Sequence, residues 1–218
     1  MRELSSTPYI QGSDDEESGA YNIDLLLQMS YLFRENGDTA AAVDLINRAL
    51  FAFESVFHHS FNYSQANCRL QYSIRENRSF FICLFLHIQD VARKSCPRTA
   101  LELTKFLFSL SPDRDPLASL LLLDYYTLRS SQYQFLVDFY HHFEPYRNLS
   151  QLPNFAYSLA LAHFHLSKDD DLSIANKYIR QALLHFPQLL RMLLDKCGIA
   201  ADKRVQSHSF FTTPIESK

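Results

Sequence analysis

Tryptophan is absent from this 218-residue chain and glycine is nearly so, with only Gly12, Gly19, Gly37 and Gly198 present. No two of these stand at the spacing of a phosphate-cradling loop, so neither G-x-G-x-x-G nor G-x-x-x-x-G-K-[ST] occurs. The familiar nucleotide-binding enzymes are thereby excluded. Long apolar runs are missing too: "PLASLLLL" stops at Asp124, well short of the ~18 residues that span a bilayer. The N-terminus, "MRELSSTPYIQGSDDEESGA", has no apolar stretch of signal-peptide length. A soluble, unexported chain is the expectation, cytoplasmic, with the nucleus as the other compartment. The sequons at Asn62, Asn77 and Asn148 would then never meet the glycosylation machinery. Cys68, Cys83, Cys96 and Cys197 form no C-x-x-C pair and are expected to remain thiols. A net charge of −3 does not mark a dedicated nucleic-acid binder.

What is present is apolar and aromatic. Hydrophobic residues make up 47% of the chain, with eighteen Phe and twelve Tyr, enough for a sizeable core. Residues 1–20 are polar, with Asp14, Asp15, Glu16 and Glu17 in a row, and are predicted to be a disordered lead-in. From Tyr21 the period becomes helical. Leu25, Leu26, Met29, Leu32 and Phe33 lie on one face of a helix that Gly37 would stop. Thr39 is the expected cap of a second helix carrying Ala42, Val43, Ile46, Ala49, Leu50 and Phe53.

Two short helices joined by a tight turn invite a search for repeats of tetratricopeptide type, which recur every ~34 residues. The second-helix template asks for a small residue, an apolar one, another small one and then a proline. Ala42, Ile46 and Ala49 fit it, with Glu54 in the proline slot, and Ala175, Ile179, Ala182 and Pro187 fit best. Ala100, Thr104, Leu107 and Pro112 fit in part, and Tyr133, Val137, Tyr140 and Pro145 keep only the spacing. Small residues let paired helices approach closely, and proline would end the second helix for want of an N–H. The predicted fold is all-α, a degenerate tetratricopeptide-like helical-hairpin solenoid over residues 21–197, with an irregular helix bundle as the competing architecture. An Arg/aromatic-rich insert occupies 55–79 and a polar tail 198–218. "QLLRMLLDKC" reads as the first helix of a hairpin whose partner does not follow, so a fragment, an isoform or a covering partner is expected.

The stretch "YRNLSQLPNFAYS" (146–158) is predicted to lead into a helix at Pro153, with Tyr146, Leu149 and Leu152 packed on the preceding hairpin. Packing leaves Arg147 and Asn148 unexplained. In the insert, Arg69, Arg75 and Arg78 are interleaved with Phe57, Phe61, Tyr63, Tyr72, Phe80 and Phe81. Between Cys68 and Lys105 stand seven Lys/Arg against three Asp/Glu. Three readings stay open for this pattern. The arginines hold the insert in place through Glu76 and helix C-terminal carbonyls, or anchor a protein partner, or contact RNA by phosphate pairing and base stacking. The His58–His59, His141–His142 and His163/His165 groups lack the i,i+4 spacing of a helical metal pair. With no G-x-S-x-G elbow either, no enzyme, cofactor or metal is expected. Asp169, Asp170 and Asp171 read as a solvated loop.

"CRLQYSIRENRSFF" (68–81), "CPRTALE" (96–102), "SPDRDPL" (111–117), "RNLSQLPNFAYSLALAHF" (147–164) and "SHSFF" (207–211) resemble the transcription factor 25 family. That family includes the ribosome quality control complex subunit 1 proteins. The resemblance covers about residues 20–211. It implies a non-enzymatic scaffold or adaptor of ribosome-associated quality control, assisting ubiquitination and extraction of stalled nascent chains on the large ribosomal subunit. The implied partners are that subunit, a listerin-type ubiquitin ligase and an AAA-type segregase; the basic insert adds RNA contact, and the short apolar runs leave no membrane partner expected. The family name also carries a transcriptional regulator as the alternative. Family members are longer, with a charged N-terminal region and further helical sequence. The expected partner surface joins Arg69, Arg75, Arg78, Arg98, Arg147 and Asn148.

Overall fold

A computed structural model describes residues 22–62, 68–167 and 171–212. Among these, every regular element is a helix: eleven α-helices and one 3₁₀ turn. The acidic lead-in lies outside the described residues. The chain divides into two compact units, one ending at Tyr126 and the other beginning at Thr127.

The first unit opens with α1 (Ile23–Glu35) and α2 (Thr39–Val56), which pack on one another. Asn22 caps α1 through its side chain, and the cap of α2 is Asp38, whose carboxylate accepts from the Ala41 N–H at 3.0 Å. The expected cap, Thr39, is instead the first helical residue. Asp38 takes the role because its backbone is non-helical (φ −82°, ψ 76°) while its carboxylate reaches the exposed Ala41 N–H. Next come α3 (Arg75–Arg93) and α4 (Pro97–Leu110), again a packed pair, and α3 also contacts α1 and α2. A core forms from Leu26 and Leu27 of α1, Ile46 and Ala49 of α2, and Cys83 and Leu86 of α3. Ala42, Ala49 and Ala100 are wholly buried, which lets the helix axes approach closely.

The insert is shorter than its sequence suggested. Helix α2 runs through Val56 and α3 begins at Arg75, so the connecting segment is 57–74, of which 63–67 are not described. Phe57 sits 4.4 Å from Phe61 and 5.1 Å from Phe80, edge-on to the latter, and Phe53 also meets Phe80 at 5.1 Å. Apolar ring packing therefore fastens the start of this segment to α2 and α3.

A charged tie joins α1 to α3. Asp90 of α3 has a side chain only 2% exposed and receives both terminal nitrogens of Arg34 on α1, at 2.9 and 2.7 Å. Arg93 reaches the same carboxylate at 3.3 Å. The fork geometry of arginine matches a carboxylate, and the buried charge requires that match.

Helix α5 (Leu120–Arg129) straddles the division between the units. The second unit continues with α6 (Tyr133–Arg147), the 3₁₀ turn Leu149–Gln151, α7 (Pro153–Leu166), α8 (Ser173–His185), α9 (Pro187–Lys196), α10 (Lys203–Ser207) and α11 (Ser209–Thr212). Helix α7 packs on α6 and α8, α8 on α9, and α11 on α9. Phe155 and Leu159 are at most 1% exposed, and Phe155 stacks on Phe139 of α6 at 6.1 Å. Ala175 and Ala182, the small template positions of α8, are buried.

Prolines mark boundaries less strictly than the template supposed. Pro187 starts α9 and Pro153 starts α7, where the missing N–H costs nothing. Pro145 lies inside the last turn of α6, which continues to Arg147. The polar tail contains α10 and α11.

Candidate macromolecular interaction surface

The six residues expected to form one surface fall into different places. Arg69 lies in the segment that approaches α4, beside Leu70, whose N–H donates to the Leu110 carbonyl at 2.9 Å. The Arg69 guanidinium donates to the Cys68 carbonyl at 3.0 Å. Arg78, one turn into α3, donates to the Tyr72 and Ser73 carbonyls at 3.1 and 3.3 Å and rests 5.6 Å above the Tyr72 ring. Tyr72 in turn meets Phe81 edge-on at 5.4 Å. Arg69 and Arg78 thus shape the turn that precedes α3. These acceptors are loop carbonyls and differ from the expected Glu76 and helix C-terminal carbonyls.

Arg75 differs. It is the first residue of α3, exposed, and makes no hydrogen bond or ion pair among the described residues. Arg98, in the first turn of α4, is equally exposed and equally unengaged. Both stand at helix N-termini, where the backbone dipole repels a cation, so neither earns its place by stabilising its own helix. They sit at opposite ends of the α3/α4 pair, because Leu110 at the far end of α4 bonds the segment leading to α3. Tyr63 lies outside the described residues, and the phenylalanines interleaved with these arginines are not open stacking platforms. Phe80 and Phe81 are at most 5% exposed, and Phe57 and Phe61 are half-buried in ring contacts.

In the second unit, Arg147 ends α6 and is half-buried, a position where a cation complements the helix dipole. Asn148 follows with φ 48° and ψ 51°, a left-handed conformation that asparagine adopts more readily than most residues. Its N–H donates to the Glu144 carbonyl, and its own carbonyl receives the Gln151 N–H, both at 3.0 Å. The Glu144 carboxylate accepts from the Ser150 N–H at 2.8 Å. Leu149 is wholly buried beneath this knot and Leu152 is half-buried, whereas Tyr146 is 77% exposed and does not pack as expected. Asn148 therefore has a backbone role that residue type alone did not reveal.

Titrating groups near this knot are shifted by burial. The Tyr140 hydroxyl is pushed up to about 12 by desolvation and then by the Glu144 charge. His163 lies flat against Tyr178 at 4.7 Å, and burial, then His141, lowers its pKa. No group of three or more His, Cys, Asp or Glu side chains converges among the described residues as a metal site would require.

The transcriptional repressor TCF25 family matches residues 17–218, nearly the whole chain. The chain belongs to the TCF25 family. Human ribosome quality control complex subunit TCF25 is 43% identical over 89% of this chain and 30% of its own length. Ribosome quality control complex subunit 1 of Saccharomyces cerevisiae is 31% identical over 87% of the chain and 27% of its own length. A probable transcription factor, claV, of Ampulloclitocybe clavipes is 30% identical over 90% of the chain. The chain spans less than a third of the length of these TCF25-family relatives. No solved structure matches it.

In this TCF25-family chain, "CRLQYSIRENRSFF" runs from the connecting segment into α3 and carries Arg69, Arg75 and Arg78. "SPDRDPL" forms the loop before α5, where Asp115 accepts from the Ser119 and Leu120 N–H groups at 2.8 and 3.0 Å. Sequence reading missed Asp115 as a cap, since its partners lie four and five residues on rather than two or three.

Proposed function

We propose that this chain is a non-enzymatic adaptor of ribosome-associated quality control, built from tetratricopeptide-like hairpins within each unit. The observation that carries the reading is membership of a family whose human and yeast relatives are named as ribosome quality control subunits. The unengaged cations Arg75 and Arg98 support it, since their positions stabilise nothing internal and suit an anionic partner. The mechanism is presentation. Helical hairpins hold a listerin-type ubiquitin ligase, an AAA-type segregase and the stalled nascent chain near one another, raising effective concentration without chemistry. The large ribosomal subunit is met through phosphate pairing by exposed arginines, with RNA stacking a minor part because the insert's phenylalanines are packed. Arg69, Arg78, Arg147 and Asn148 then act by shaping the backbone beside the contact. The cytoplasm is the working compartment.

A second reading, a transcriptional regulator acting through protein contacts in the nucleus, draws on the family description and on the claV relative. Co-sedimentation of the purified chain with large ribosomal subunits at low and physiological salt tests the first. The parent chain is expected to sediment, and Arg75→Glu with Arg98→Glu to weaken that at least tenfold without loss of helicity. No sedimentation at either salt would overturn ribosome attachment by this chain. Nuclear enrichment independent of translation stalling would favour the second reading.

A further inference from the structure

Helix α9 is the anomaly of the second unit. Its sequence, PQLLRMLLDK, is half leucine and methionine, yet none of its residues is buried. Met192 is 64% and Leu193 41% exposed. Apolar exposure continues on the elements packed against it, through Leu184 of α8 and Phe210 of α11. An amphipathic helix normally hides its apolar stripe, whereas α9 half-covers Leu189, Leu190 and Leu194 and leaves Met192 and Leu193 open.

The surrounding charge indicates which partner. Residues 171–212 carry six Lys/Arg against three Asp, a net +3 within a chain of −3. Arg191, Lys196, Lys203 and Arg204 are exposed, and none forms an ion pair among the described residues. Of the three aspartates, Asp171 accepts from the Ser173 N–H and Asp202 caps α10 through the Arg204 N–H, so both are engaged locally. An apolar patch with the unpaired cations Arg191 and Lys196 on its own helix complements a segment with apolar residues on one face and carboxylates beside them. RNA would not need exposed leucine and methionine, because its bases stack on aromatic rings. An anionic bilayer would force Asp195, one turn from Met192, towards lipid.

We propose that α9, with the end of α8 and with α11, is a docking surface for an acidic amphipathic helix of a partner protein. The surface is independent of the ribosome reading, since its residues are separate from Arg75 and Arg98. The test uses the full chain and a fluorescein-labelled peptide of about 16 residues, with leucines at i, i+3, i+4 and i+7 and glutamates elsewhere. Controls are a scrambled peptide of the same composition and one with lysine for glutamate. Saturable binding of the periodic acidic peptide alone is expected. Met192→Asp, and separately Arg191→Glu with Lys196→Glu, should each weaken it at least tenfold with far-ultraviolet dichroism unchanged, since α9 buries no residue.

Equal binding of the scrambled peptide, or indifference to Met192→Asp, would reduce the surface to unspecific charge attraction and overturn the proposal. Sedimentation equilibrium provides a second arm. A dimer of the chain alone that Met192→Asp dissolves would assign the face to a second copy, again overturning it. So would Met192-dependent binding to phosphatidylserine vesicles without binding of the peptide.

Discussion

Among single residues, the cysteines give the plainest contrast. Cys83 is wholly buried in the first core, and desolvation, followed by the charge of Asp24, pushes its thiol up to about 12. Cys68 is also buried, whereas Cys96 and Cys197 are exposed. The thiolate is the nucleophile, and burial denies the reagent access to Cys68 and Cys83. Iodoacetamide at pH 8 should therefore add two adducts to the native chain and four in denaturant, as read by intact mass. A rapid third adduct mapped to Cys83 would mean that the α1–α3 core opens, and one mapped to Cys68 that the connecting segment lifts. The cysteines were expected to be thiols from their spacing, but which of them react depends on burial by residues far away in sequence. The same holds for Asp90, whose partner Arg34 stands on a different helix and leaves no local signal.

At the scale of helices, the scarcity of glycine has a visible cost. Helices α1, α3, α5 and α9 all end the same way, with one left-handed residue and an N–H reaching back five positions. The bonds are Asp38 to Phe33, Cys96 to Val91, Gln132 to Thr127 and Ile199 to Leu194. Glycine fills the left-handed position in two of them, Gly37 and Gly198, while Ser95 and Ser131 take φ 59° and 56° in the others. A side chain in that region is strained, and glycine relieves the strain at some cost in unfolded-state entropy. Ser95→Gly and Ser131→Gly should each stabilise by about 0.5–1 kcal/mol. Calorimetry should then show each raising Tm by about 1–4 °C. Asn148→Gly should gain less, because asparagine already tolerates its φ of 48°. A fall in Tm for both serine variants would contradict this account of the helix ends. Gly37 could be read as a helix stop from sequence, but Ser95 and Ser131 could not, since serine is no signal for that position. Apolar period and small-residue spacing placed α1, α2, α7 and α8 well. The end of α2 and the course of the tail depended on ring contacts and on α11 meeting α9, which periodicity does not encode.

For the chain as a whole, family strings were legible and the partner surface was not. The strings fix membership, but Arg75 and Arg98 occupy opposite ends of one helix pair, and Arg147 with Asn148 lies in the other unit. Composition marks arginine as available; only packing tells which arginines the backbone has already claimed. The clasp at Asp90 also bears on aim. Helix α3 is held there near its C-terminus and carries Arg75 at its N-terminus, ~22 Å away along the axis. Phe80 and Phe81 pack along its N-terminal half and the clasp fixes the other end, about which a tilt of about 5° moves the tip by ~2 Å. Replacing Arg34 and Asp90 together by leucine removes both charges, and such exchanges are often neutral for folding. The double variant should nonetheless lower Arg75-dependent co-sedimentation several-fold with helicity intact, while unchanged sedimentation would mean that apolar packing alone sets the direction of α3. A charge pair with no contact to any partner would thus act as the sight by which the first unit is trained on its target.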